Sequence, residues 1–186
     1  AKPPNSIWQQ DNTINVIKQI KDKTQTVQPK INDKYDLSKI KYNYRSEMGR
    51  YEHHIYFCAG AGCISCGCAD VARGVKESLD EFGLNDKVKM IETGCIGLCS
   101  LGPVMLVMPE RIFYVGLSPK NIGKVIKTHF VDGQIAKNYC YQDLKTKEYI
   151  PCIDDIPFYK DQVRIALQGC GTTEFDKIEA YIATGG

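Results

Sequence analysis

The spacing of apolar positions changes several times along the chain, and each change marks an element. Leu37, Ile40, Tyr44 and Met48 recur every three or four residues and predict a helix stopped at Gly49. Upstream, Ile14, Ile17 and Ile20 predict a shorter helix capped by Asn12 or Thr13, and residues 23–34, polar and holding Pro29, read as a linker. Residues 54–58 predict a strand in which Tyr56 and Phe57 pack. Ala72, Val75, Leu79 and Phe82 then form one helix face, closed by Gly83. Residues 88–91 and 104–108 predict two more strands, and after the Pro109-Glu110 turn residues 112–115 return as an antiparallel partner. Ser118-Pro119 reads as an N-cap and first helical position for a helix through Ile122, Val125, Ile126 and His129. Periodicity then stops, and residues 131–170 read as an extended connection. Thr173, Phe175, Ile178 and Ile182 mark a last helix stopped by Gly185-Gly186.

The predicted order is β-α-β followed by β-β-α. A crossover of the first kind is right-handed and makes its two strands parallel. The expected fold is therefore α/β with a mixed sheet. It has three parts: a helical leader over 1–50, a compact domain over 51–131 and an extended C-terminal connector over 132–186. Two glycine-rich, cysteine-bearing loops leave the C-terminal ends of the parallel strands, the edge where open α/β sheets place their sites.

Composition narrows the class without deciding it. The hydrophobic share is 43% and the charged share 25%, as in ordinary globular chains. No apolar run approaches the roughly 18 residues of a membrane helix, and the N-terminal residues lack the apolar core of a signal peptide. Net charge is +2, which does not call for a nucleic-acid partner. The charge is polarised: residues 1–50 carry ten Lys/Arg against five Asp/Glu, and the remainder 14 against 17. The leader reads as a packing or docking element with a solvated basic face. The absence of a secretory segment favours a reducing, cytoplasmic setting.

Nine cysteines are the unusual feature. A disulfide framework, a metal or cluster site and scattered buried thiols all compete to explain them. An odd count leaves one thiol over in a full disulfide set. Cys58, Cys63, Cys66 and Cys68 crowd into one loop, and Cys95 and Cys99 into another. The pattern is Cys58-x4-Cys63, 31 residues, then Cys95-x3-Cys99. Four thiolates on two glycine-rich loops suit either a [2Fe–2S] cluster or structural zinc. Exposed backbone N–H groups in such loops favour the cluster, because they stabilise negative sulfur. Cys140, Cys152 and Cys170 have no pair spacing and read as structural or incidental thiols. His53 and His54 would suit a Rieske-type centre only with histidines in the second loop, which has none.

Cys58-Ala-Gly-Ala-Gly-Cys63 together with Gly94-Cys95-Ile-Gly-Leu-Cys99-Ser-Leu-Gly-Pro103 resembles the thioredoxin-like [2Fe–2S] ferredoxin domain. That domain occurs in the 24 kDa subunit of respiratory complex I. It also opens the beta subunit of electron-bifurcating NAD-dependent iron hydrogenases and related formate dehydrogenases. Residues 107–114, 155–167 and 178–186 resemble those fused beta subunits, the last two being similar to the run into the flavin domain of the 51 kDa subunit. The resemblance covers about residues 51–186. It implies cluster ligation by Cys58, Cys63, Cys95 and Cys99. It also implies an absent downstream domain binding FMN, NADH and a [4Fe–4S] cluster, and partner iron–sulfur or flavoprotein subunits. The chain then reads as the front end of a longer polypeptide. Cys66 and Cys68 depart from the family, which has small or polar residues there, and read as thiols beside the cluster.

The resulting expectation is an electron carrier without a substrate site, part of an NADH-linked oxidoreductase complex of hydrogenase or NADH-dehydrogenase type. No general acid, base or nucleophile constellation accompanies it. Two rivals use the same cysteines: a zinc-stabilised interaction module, and a thiol-redox protein acting through Cys63-x-x-Cys66 at a helix start. In thioredoxin-like folds a cis proline often stands where Pro103 does, although cis is the minority state of any X–Pro bond.

Overall fold

A computed structural model describes residues 31–185. The chain divides after Asp36, and the larger compact unit runs from Leu37 onward. The expected helix around Ile14–Ile20 and most of the linker lie outside the described residues.

Helix α1 (Lys34–Met48) carries the predicted stripe, but Ile40, Tyr44 and Met48 are only half-buried and Leu37 is exposed. Polar contacts supply much of its docking. Arg45 donates to the carbonyl of Ala183, and Lys89 meets Glu47 at 2.9 Å.

Strand β1 (His53–Cys58) is followed by α2 (Ala61–Ser65), α3 (Cys68–Glu81) and β2 (Val88–Thr93). Helix α3 starts after Gly67, which has φ 83° and so occupies the left-handed region that glycine enters freely. Val71, Val75 and Leu79 face the sheet, buried as their three-and-four spacing requires. Strands β3 (Met105–Met108) and β4 (Ile112–Tyr114) form the predicted hairpin. The sheet order is β2-β1-β3-β4. Strand β1 runs parallel to β2 and antiparallel to β3. The core gathers Ile55, Phe57, Val75, Met105, Phe113 and Tyr114, each essentially inaccessible to water. Burying side chains of this size is worth about 1.5–3 kcal/mol apiece.

The fourth helix differs from expectation at its start. The regular part of helix α4 (Ile122–Ile126) starts later than Ser118-Pro119, and Asn121 just before it makes no side-chain cap hydrogen bond. The Asn121 side-chain oxygen accepts from the Ser118 N–H, and the Ser118 carbonyl accepts from the Ile122 N–H. Ser118 and Pro119 thus make the turn before the helix. After α4 the chain widens into a π turn (Lys127–Val131).

Residues 131–170 also differ from a bare extended run. Strands β5 (Tyr141–Gln142) and β6 (Tyr149–Ile150) form a small hairpin, and α5 (Pro157–Lys160) comes next. Single bridges join Ile112 to Cys152 and Tyr114 to Cys140. The connector therefore satisfies backbone groups on the outer edge of β4, an edge otherwise open to unwanted pairing. The last helix, α6 (Ile178–Thr184), starts later than Thr173 and Phe175 suggested. It ends at Gly185, with φ 100°. The Gly102–Pro103 and Met108–Pro109 bonds are cis.

Gly74 marks the closest approach of α3 to α4. A side chain there would meet Cγ2 of buried Ile122 at 2.7 Å. Alanine would gain about 1 kcal/mol of helix propensity, but overpacking against a branched, immobile side chain costs about 1–3 kcal/mol. Gly74→Ala is expected to lower stability by up to about 2 kcal/mol net, read as a lower urea midpoint at unchanged slope.

Candidate metal centre

Because β1 and β2 are parallel and Cys58 lies opposite Thr93, both chains leave the sheet at one end. The Ala59 N–H donates to the Thr93 carbonyl at 2.9 Å, which continues the pairing one step past the strand. From there β1 runs into the loop and helix carrying Cys63, and β2 into the loop carrying Cys95 and Cys99.

The two loops touch through glycine. A side chain at Gly60 would lie 3.2 Å from Cβ of Cys95 and 3.6 Å from Sγ of Cys58. One at Gly62 would lie 3.2 Å from Cβ of Cys99 and 3.5 Å from its Sγ. A side chain at either position would push the opposing cysteine back by a few tenths of an ångström.

The four thiols gather as two pairs. Sγ of Cys95 and Sγ of Cys99 are 3.4 Å apart, and Cys58 lies close enough to Cys63 to favour its protonated thiol. Among the described residues, no three of these sulfurs lie within 4.8 Å of one another. A single tetrahedral ion holds its sulfurs at about 2.3 Å and so draws them round one point. Two pairs spread over a wider gap fit a two-metal group better, with one pair for each metal.

Cys58 and Cys63 are buried, Cys95 is half-buried and Cys99 is exposed. Burial pushes the Cys63 thiol up to about 12, and the neighbouring Cys58 adds to the rise. Burial and the bond to Cys99 push Cys95 up to about 11. Opposing this, the backbone at Val104 and Gly97 favours negative charge on Cys63 and Cys95 respectively. The pocket therefore resists bare thiolates yet supports negative sulfur once a cation is present.

The remaining cysteines separate by burial. Cys66 is exposed at the end of α2, Cys68 is buried at the start of α3, and Cys140 and Cys170 are buried in the connector. Cys152 is half-buried. Neither Cys66 nor Cys68 joins the two pairs. His54 lies outside the group too, bonded through Nε2 to the Met48 carbonyl.

The connector supplies neighbours that periodicity could not reveal. The Tyr159 hydroxyl donates to the Ile96 carbonyl at 3.3 Å, and its ring packs edge-on against Phe113. Cys170 and Phe175 stand beside Gly94. The Gly171 N–H donates to Thr93 Oγ1 at 2.8 Å. The second thiol loop is thus clamped from outside. Of these only Tyr159 falls in a stretch with a sequence signal towards the site, the likeness of residues 155–167 to the fused beta subunits.

A four-stranded mixed sheet with cysteine loops at one end defines a small α/β domain built to hold a group between two loops. Residues 40–129 match the family model of the thioredoxin-like [2Fe-2S] ferredoxin, which supports a [2Fe-2S] ferredoxin-type electron-transfer module with a thioredoxin-like fold in this stretch of the chain. A 2Fe-2S ferredoxin of Clostridium pasteurianum is 28% identical over 94 residues, covering 46% of this chain and 92% of its own. A putative 2Fe-2S ferredoxin of Priestia megaterium is 23% identical over 99 residues, covering 53% and 77%. The solved structure of a thioredoxin-like [2Fe-2S] ferredoxin from Aquifex aeolicus has 20% identity and a TM-score of 0.45, covering 48% of this chain and 89% of that one. Among the described residues no helix is long and apolar enough to cross a membrane.

Alkylation should rank the unpaired thiols by environment. Burial pushes Cys140 up to about 12, so its thiolate fraction at pH 8 is on the order of 10⁻⁴. With iodoacetamide at that pH, Cys66 is expected to label first and Cys140 only after denaturation, as read by peptide mass spectrometry. Equal labelling of the two in the folded protein would contradict this placement.

Proposed function

We propose that Cys58, Cys63, Cys95 and Cys99 hold the [2Fe–2S] cluster. We further propose that the domain relays electrons between flavin or iron–sulfur centres and a partner within an NADH-linked oxidoreductase, of the bifurcating-hydrogenase type or its complex I relatives. The observation that carries the ligand set is the meeting of two thiol pairs, one from each parallel-strand loop. When bound, the cluster supplies one-electron chemistry without bond changes on a substrate.

The protein's own residues have three tasks in this reading. Cys58 and Cys63 anchor the inner side, where burial excludes water. Cys95 and Cys99 form the outer side, so a partner approaching this loop comes nearest to the site. The backbone at Val104 and Gly97 favours negative charge on sulfur, an arrangement that raises a reduction potential by favouring the more negative state. Exposed apolar side chains from the connector, Phe158, Leu167 and Phe175 among them, provide the kind of surface that a partner covers.

The NADH-linked setting rests on the likeness of residues 107–114, 155–167 and 178–186 to fused beta subunits. There the downstream chain would bind FMN, NADH and a [4Fe–4S] cluster, and the three parts 1–50, 51–131 and 132–186 would act as leader, cluster domain and connector.

After anaerobic purification, Cys63→Ser and Cys95→Ser are each expected to lose most iron and acid-labile sulfide, whereas Cys66→Ser keeps both. Full iron, sulfide and visible spectrum in Cys63→Ser would overturn the ligand set. The wider reading is tested on the complex isolated from its source through a tag on this chain. NADH should bleach the cluster absorption and raise the EPR signal of its one-electron-reduced form. A complex whose cluster is reducible by dithionite but never by NADH would refute the NADH link and leave the ligand set standing.

A further inference from the structure

Strand β1 ends at Cys58 and begins at His53, and its beginning meets a second cluster of ligand-type side chains. Glu110 comes from the turn between β3 and β4, and His129 from the π turn after α4. One donor atom of each of the three residues lies within 4.8 Å of the other two. Five residue steps at about 3.3 Å put the Cα atoms of His53 and Cys58 about 17 Å apart. This group is therefore separate from the thiols.

Details of the group point to a cation. Nδ1 of His53 is 2.9 Å from Oε1 of Glu110. Even so, it has no hydrogen-bond partner, and it is the one buried side-chain nitrogen or oxygen among the described residues in that condition. A hydrogen bond needs the N–H aimed at the acceptor. Close approach without that alignment is the geometry of two lone pairs facing a shared point. His129 is engaged at the opposite nitrogen, its Nδ1 lying 2.7 Å from the Tyr114 hydroxyl. That leaves Nε2 unengaged, the usual arrangement of an imidazole ligand held in orientation by a second hydrogen bond. Phe130 packs edge-on against both rings, with centroids 5.2 and 4.6 Å away. The Arg111–Asp154 ion pair and the bond from the Ile153 N–H to the Arg111 carbonyl fix the turn that carries Glu110. A short π segment at this point is also characteristic of functional sites.

We propose that His53, Glu110 and His129 form a second metal site, for a divalent first-row ion such as zinc, at the pole of the sheet opposite the thiols. Two imidazoles and a carboxylate are a donor set that zinc accepts with a fourth position left open. A cavity of about 260 Å³ lined by all three residues adjoins them and gives that position room for water or a small ligand. A plain His53–Glu110 ion pair explains neither the orphaned Nδ1 nor the third ligand.

The test uses the protein with its cluster in place, dialysed against zinc chloride and then desalted. One zinc per chain is expected beyond the cluster iron, with a zinc-edge X-ray absorption shell of nitrogen and oxygen at about 2.0–2.1 Å. Glu110→Gln removes an exposed ligand with little change of shape, and His53→Gln removes a second. Each is expected to weaken zinc binding at least about 100-fold, more than the loss of a supporting hydrogen bond costs, with iron and sulfide contents unchanged. No retained zinc, equal retention in both variants, or a sulfur shell at about 2.3 Å would each overturn the proposal.

Discussion

The pairing of β1 with β2, parallel and in a register that sets Cys58 against Thr93, is the constraint on which the thiol end of the molecule depends. A right-handed crossover through α3 fixes the direction of both strands. Once that direction is set, two loops far apart in sequence emerge side by side. A slip of one residue would turn Cys58 to the other face of the sheet. Both faces of β1 are buried, Ile55 and Phe57 on one and Tyr56 and Cys58 on the other, and the fitted packing of these unlike side chains opposes such a slip. Core packing therefore holds the thiol geometry from a distance.

Local chemistry then refines what register provides. Gly60 and Gly62 let the loops approach within van der Waals contact of opposing cysteines. The same approach removes water, which disfavours thiolate and would make the pocket self-defeating without a cation. The backbone at Val104 and Gly97 offsets part of that cost. The connector braces the outer side. Tyr159 and Gly171 each commit one hydrogen bond to holding loop or strand end in place.

The strands, α3 and the paired thiols were legible because their signals are local: period-two and period-3.6 spacing, and cysteines a few residues apart. The connector was not. Its two-residue strands are too short to show alternation, and their turn is set by Asp143 accepting from the N–H groups of Lys145 and Thr146, a side-chain effect with no hydrophobic signature. The regular part of α4 starts only after Asn121, whose amide bonds back to Ser118 and Gly116 at once and braces the turn between them. His53, Glu110 and His129 were invisible as a set. They come from three segments and share no spacing, and only the sheet order brings them together.

Strand β1 thus links two poles of different chemistry. At its C-terminal end soft sulfur donors sit where the backbone favours negative charge, suited to a group that stores electrons. At its N-terminal end harder imidazole and carboxylate donors sit beside an open cavity, suited to an ion that does not. The soft site excludes water on its inner side, where the core buries Cys58 and Cys63, and opens only at Cys95 and Cys99. The harder site tolerates water, and Glu110 is accordingly exposed. Ligand softness discriminates between metals where raw affinity does not, so a strand with sulfur at one end and nitrogen and oxygen at the other keeps two metal chemistries apart. The rigid β1–β3 ladder between them provides the spacing.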